Sequence, residues 1–307
     1  MTFHGLETWQ KAWLSSRDDP YLFATGVLGM PEPGEPERDG MQALEPWQAG
    51  VSKAIRDGKR RISIRSGHGC KKSATLSILV LWGLLCHTEA KIPVVAGSES
   101  QLRDTIWPEI SLWVRRLPQP LQDQIEVQAE RVVIKARPDT AFAVARVASK
   151  DNPQAMAGFH SKFLMFLVDE ASAVSEAAYE VAQGALSTEG AIAVLAGNPT
   201  KVGGFFHATH TTLRDRWFTM RVSSQDVPTA RGHIQDVIDT YGENSNAFRT
   251  RVLGEFPTAD DTTVIPLAWV EAAIEREVAP MKVRPLWGVD AARFGDDRST
   301  LAKRRGN

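Results

Sequence analysis

Four short stretches hold residue types that can do chemistry, and three of them lie where an apolar run ends. The first is Arg65-Ser66-Gly67-His68-Gly69-Cys70-Lys71-Lys72-Ser73, set between Arg61–Ile64 and the apolar run Ala74–Leu85. A strand that enters a glycine-containing loop, with a Lys-Ser pair opening a helix, is the layout in which backbone N–H groups and a helix N-terminus bind phosphate. The usual spacing is G-x-x-x-x-G-K-[ST]. Here Ser66 stands at the first glycine and Lys71 at the second. Glycine before the lysine lets a loop approach phosphate without a Cβ, so Lys71 either weakens nucleotide binding or supplies charge of its own. The loop alone fits nucleotide binding and a plain strand–helix turn equally well.

The second stretch, Phe163–Glu170, is apolar until it ends in Asp169-Glu170. Alone it reads as a strand running into a solvated acidic turn, or into a cap for a helix from Ser172. Beside a phosphate loop, the first acid suits a Mg²⁺-water ligand and the second a base that orients an attacking water. The third, Ala191–Ala196, runs into Gly197-Asn198-Pro199-Thr200. Asn-Pro is common in turns, yet a polar side chain at this strand end could sense a γ-phosphate. The fourth is Pro46-Trp47-Gln48, whose amide could read an adenine edge; a surface glutamine is the plain alternative.

The elements that must position these residues alternate. Short β-branched runs at 61–64, 92–96, 131–134, 141–146, 163–168 and 191–196, with 217–222 as a further one, are separated by longer helical patterns. That alternation predicts an α/β fold with a mainly parallel central sheet flanked by helices, and it places all three strand-end motifs at one sheet edge. The expected organisation is a peripheral N-terminal arm (1–45), an α/β core (46–222), a helical linker or lid (223–284, with helices near 232–241, 245–254 and 266–276) and a closing segment (285–307) that opens a new strand at Leu286–Asp290.

Composition sets outer bounds. The chain has 307 residues, 43% of them hydrophobic, and a formal charge of −1, so nucleic acid binding has no global electrostatic support and must come from local patches such as Arg60-Arg61, Arg115-Arg116 or Lys303–Arg305. Each of those patches also fits a solvated face. The two cysteines, Cys70 and Cys86, lack zinc or disulfide spacing. No apolar run is long enough to span a bilayer, and the N-terminus has no apolar signal core, which predicts a cytoplasmic protein.

Taken in order, Pro46–Gln48, Arg65–Ser73, Leu167-Val168-Asp169-Glu170-Ala171 and Ala196–Thr200 resemble the motor motifs of tailed-phage terminase large subunits, over about Asp19 to the C-terminus. The resemblance implies a P-loop NTPase that uses ATP and Mg²⁺ to drive double-stranded DNA into a procapsid. It also implies a homo-oligomeric ring working with a portal protein and a small terminase subunit in the host cytoplasm, without a membrane. By the same carry-over, Gln48 meets the adenine; Ser66, Gly67, His68, Gly69, Cys70, Lys71, Lys72 and Ser73 form the nucleotide loop; Ser73 and Asp169 hold Mg²⁺. Glu170 activates the water, Asn198 couples hydrolysis to movement, and Arg65 assists the phosphates. An arginine supplied to the site is part of the pattern, with Arg146 and Arg103 as candidates. The segment 285–307 resembles the first strand of a truncated RNase H-like nuclease domain, with Asp290 as its metal-binding aspartate and Asp296 or Asp297 in the next turn. Two-metal cleavage needs carboxylates from several strands, so no nuclease activity is expected from this segment. Two other readings stay open: another helicase-like P-loop ATPase, and a nucleotide-binding docking module that does not turn over.

Overall fold

The computed structural model describes residues 6–148, 152–186, 188–258, 272–276, 282–292 and 299–305. Residues 1–260 form one compact unit and 261–307 a second.

The first unit is built on eight strands: β1 (Arg61–Ser66), β2 (Ala90–Ala96), β3 (Ile125–Val127), β4 (Arg131–Ile134), β5 (Phe142–Val147), β6 (Phe163–Val168), β7 (Ile192–Gly197) and β8 (Phe218–Val222), in the order β3-β4-β5-β2-β6-β7-β1-β8. The run from β5 to β8 is parallel, and β3 and β4 add antiparallel at one edge. Central strands of a parallel sheet are covered on both faces and need continuous apolar sequence; Phe-Leu-Met-Phe-Leu-Val in β6 meets that need. Side chains alternate across the pleat. Met165, Leu167 and Val194 therefore join one core layer, while Leu164, Phe166, Val168 and Leu195 join the other.

The longer helices are α1 (Thr8–Ser15), α2 (Pro46–Arg56), α3 (Lys72–Cys86), α4 (Trp107–Val114), α5 (Glu176–Leu186), α6 (Gly204–His210) and α7 (Ile234–Tyr241). Every residue of α3 from Thr75 to Leu85 is buried, as expected of a helix apolar all round. It therefore needs cover on the side away from the sheet, and the N-terminal segment supplies it. Trp82 Nε1 donates to Ser16 O at 2.8 Å, Trp13 Nε1 donates to Leu85 O at 3.2 Å, and Phe23, Val27, Leu28, Met30 and Leu44 join the core. Within the arm expected at 1–45, the described residues from 6 onward thus contribute to the main core. Phe23, Val27 and Leu28, spaced as on one helical face, carry that packing.

Beyond β8 the chain carries α7 and a helical turn ending at Leu253, which share a small core of Val237, Phe248 and Val252. The second unit contains a hairpin, β9 (Leu286–Asp290) with β10 (Thr300–Arg304), antiparallel with Asp290 opposite Thr300. Most of the helix expected at 266–276, and both Asp296 and Asp297, lie outside the described residues.

Candidate active site

β7 lies between β1 and β6. Its parallel register sets Gly197 beside Arg65 and Leu195 beside Val168, so Ser66, Asp169 and Asn198 leave the sheet at one edge. From Ser66 the chain forms a loop and enters α3, whose first-turn N–H groups have no partners within the helix and whose N-cap residue, Lys71, makes no side-chain cap. The root of the loop is fixed from behind. Gly67 N donates to Val222 O at 3.0 Å and His68 N to Arg251 O at 2.7 Å, while Ser224 Oγ donates to His68 O at 2.8 Å. A Cβ on Gly67 would lie 2.2 Å from Ser224 Oγ and 2.6 Å from Val252 O, so only glycine fits there. Lys71 has φ 63°, ψ 32°, the left-handed region that costs a residue with a Cβ about 1–2 kcal/mol. Its ammonium is 2.6 Å from Glu45 Oε1, with both side chains largely buried.

Lys72 Nζ donates to Asn198 Oδ1 at 3.0 Å and to Ser66 Oγ at 3.3 Å, and lies 3.9 Å from Glu170 Oε1. Asn198 Nδ2 donates to Ser66 O at 2.7 Å, and its backbone N–H to Glu170 Oε2 at 3.4 Å. Glu170 has φ 46°; this left-handed turn after β6 is tight, and a Cβ on neighbouring Gly197 would lie 2.7 Å from Ala171 N. Asp169 is 4% exposed and its Oδ1 has no hydrogen-bond partner among the described residues. Burial, then the neighbouring Glu170, pushes its carboxyl up to about 6 against the opposing pull of Lys72. Burial and Lys72 hold the His68 imidazole below its ordinary range, and burial raises the Cys70 thiol.

Lys72, Ser73, Asp169 and Glu170 line one cavity of about 420 Å³, together with Gly69, Cys70 and Lys71. Three more lining residues, Gln101, Thr105 and Glu109, were not anticipated. They recur every four residues after β2, which also ends at this edge, and that spacing was the available signal. A second cavity of about 360 Å³ shares Lys71, Ala74 and Glu109 with the first and is lined also by Gln48, Trp113 and Arg116. Gln48 borders it with both ends of its amide engaged: Oε1 accepts from Glu45 N at 2.9 Å and Nε2 donates to Thr75 Oγ1 at 2.8 Å.

Arg65 is not brought to the cleft. Strand alternation turns it to the other face from Ser66, where its guanidinium sits 5.4 Å from the Phe256 ring centroid, half-buried, and burial lowers its pKa. Its expected role on the phosphates is withdrawn. Arg103 and Arg146 line a different cavity, of about 610 Å³. Arg103 pairs with Asp104 and Glu99, and Arg146 lies over Phe159. Asp290 ends β9 with an exposed side chain. Among the described residues, no group of three or more His, Cys, Asp or Glu side chains could cage a metal, and no helix is long and apolar enough to cross a membrane.

No protein-family model matches the chain. It is 28% identical over 256 residues to the probable large terminase subunit of Enterobacteria phage P7, a match covering 78% of this chain and 51% of that protein. The chain therefore spans about half the length of that relative. Among solved structures it is similar to the large terminase ATPase domain of Thermus phage P74-26, with TM-score 0.55, 17% identity, and 70% of this chain and 94% of that one covered. It is similar also to the HK97 bacteriophage large terminase, with TM-score 0.55, 14% identity and coverage of 92% and 62%. For the large terminase of another thermophilic bacteriophage, solved in complex with ADP, the values are 0.53, 14%, 66% and 50%. Similarities at these identities establish architecture, a mostly parallel sheet flanked by helices, and the sequence match adds relatedness. The chain is thus similar in sequence to the probable large terminase subunit of phage P7 and has the fold of the large terminase ATPase domain.

Proposed function

We propose that the chain is the ATP-hydrolysing motor part of a DNA-packaging terminase, drawing double-stranded DNA into a procapsid in the host cytoplasm. The observation that carries this reading is the convergence of Lys72, Ser73, Asp169 and Glu170 on one cavity, with Asn198 hydrogen-bonded to Lys72. Phosphoryl transfer is catalysed mainly by positioning and charge stabilisation, and those groups supply both. Lys72 and the first-turn N–H groups of α3 bind the β- and γ-phosphates. Glu170 orients the attacking water and takes its proton as the bond from the γ-phosphorus to the bridging oxygen breaks, leaving ADP and phosphate. Asn198 touches Lys72 and Ser66 by its side chain and Glu170 by its N–H, so a change at the γ-phosphate reaches the strand end of β7.

The buried Asp169 Oδ1, without a partner among the described residues and lining the same cavity as Ser73, fits the water shell of Mg²⁺, which is commonly held by one or two carboxylates plus substrate phosphates. Bound there, Mg²⁺ would supply charge neutralisation on the phosphates. Translocation of DNA, a ring of copies, a portal protein and a small terminase subunit are proposed on relatedness to the terminase of phage P7. The test is steady-state ATP turnover with increasing linear double-stranded DNA. The expected result is Mg²⁺-dependent turnover that DNA accelerates and that Lys72→Ala abolishes; no turnover under any of these conditions would overturn the proposal.

A further inference from the structure

Lys71 stands where the usual loop pattern has glycine, and it adopts the left-handed conformation that glycine takes freely. Something must hold it there, and a closed circuit of hydrogen bonds does so. Lys71 Nζ meets the Glu45 carboxylate at 2.6 Å; Glu45 N donates to Gln48 Oε1 at 2.9 Å; Gln48 Nε2 donates to Thr75 Oγ1 at 2.8 Å; Thr75 Oγ1 donates back to the Lys71 carbonyl at 3.1 Å. The circuit begins and ends on Lys71, clamping its side chain from one direction and its peptide from the other. Glu45, Gln48 and Thr75 are all buried, so each member depends on its partners, and removing one leaves a buried polar group or charge unmatched.

Resting on the nucleotide-site reading above, we propose that Gln48 and Glu45 are positioning residues of the phosphate loop. The pair Glu45–Lys71 takes over the task that glycine performs in the usual pattern. Bonded through its amide to Glu45 and Thr75, Gln48 acts through Lys71 on the direction in which Lys72 and Ser73 enter the cleft. If the circuit opens, Lys71 relaxes out of the left-handed region, and the donors that follow it lose their aim.

The two roles separate by ligand. The affinities to compare are those of MgATP, MgGTP and inorganic triphosphate, measured on the parent chain and its variants. Gln48→Ala and Lys71→Met are expected to weaken all three, triphosphate included, by about tenfold or more. Lys71→Arg keeps the cation and is expected within about threefold of the parent, while Lys71→Gly loses the tether but also the strain, and is expected to bind more tightly than Lys71→Met. Gln48→Ala that shifts the ATP-to-GTP ratio while sparing triphosphate would show base reading and overturn the proposal, as would parent-like binding by Lys71→Met. Thermal unfolding without nucleotide tests the circuit separately. Gln48→Ala and Lys71→Met are expected to be non-additive there, and strict additivity would overturn the circuit even if the parent bound no nucleotide.

Discussion

Charges inside the cleft satisfy one another until a ligand replaces the partners. Lys72 is shared among Asn198, Ser66 and Glu170, whereas Asp169 Oδ1 has no partner among the described residues. Burial pushes Asp169 up to about 6 from 3.8, so in metal-free protein the folded chain binds this proton more tightly than the unfolded chain. Its contribution to stability is therefore full below about pH 4 and lost as pH rises through about 6. Asp169→Asn is expected to remove that loss, raising metal-free stability at pH 7 by on the order of 1–3 kcal/mol, while Mg²⁺-dependent turnover falls about 10²-fold or more. Urea unfolding in EDTA, with turnover assays alongside, checks both; a variant less stable than the parent at pH 7 would contradict the burial account.

Among the elements, the phosphate loop depends on the segment behind it. The carbonyls of Val222, Arg251 and Val252 surround Gly67, and a Cβ on Gly254, at φ +63°, would lie 2.6 Å from Val222 O. Gly67→Ala or Gly254→Ala is expected to cost about 1–3 kcal/mol and lower Tm by roughly 2–10 °C, and calorimetry checks this. A second expectation concerns buried imidazoles. His87, stacked on Phe163 at 3.7 Å, is lowered to about 4 and His210 to about 3, both first by desolvation. Each is neutral in the folded chain, so the stability they confer is present above about pH 6.5 and lost as pH falls toward 4. His87→Leu is expected to flatten the acid limb of a stability–pH profile, and an unchanged slope would exclude His87 as its source. The sequence made most of this architecture legible, because the β-branched runs of β1, β2, β4–β8 and β9 are long or flanked by clear turns. β3 was not legible: three residues with exposed Glu126 at a sheet edge carry almost no pattern. Lys72, Ser73, Asp169, Glu170 and Asn198 were readable because each ends or follows a strand at one edge. Arg65 departs from its expected place because the two-residue pleat sends it toward Phe256, away from the loop. The Glu45–Lys71 pair was invisible, because residues 26 apart in sequence meet only after α2 and α3 pack together.

For the whole molecule, the chain resembles a solved terminase ATPase domain across 94% of that domain, and the unit of residues 1–260 gathers the reactive side chains into one cleft. On the function proposed above, this cleft hydrolyses ATP, with Lys72 binding phosphate and Glu170 activating water. Single-turnover hydrolysis of MgATP with protein in excess, paired with equilibrium binding, tests it most directly. Lys72→Ala is expected to lose affinity about tenfold or more, whereas Glu170→Gln is expected to bind within about threefold of the parent and hydrolyse about 10²-fold or more slowly. Hydrolysis by Glu170→Gln at the parent rate, or parent-like binding by Lys72→Ala, would contradict the account.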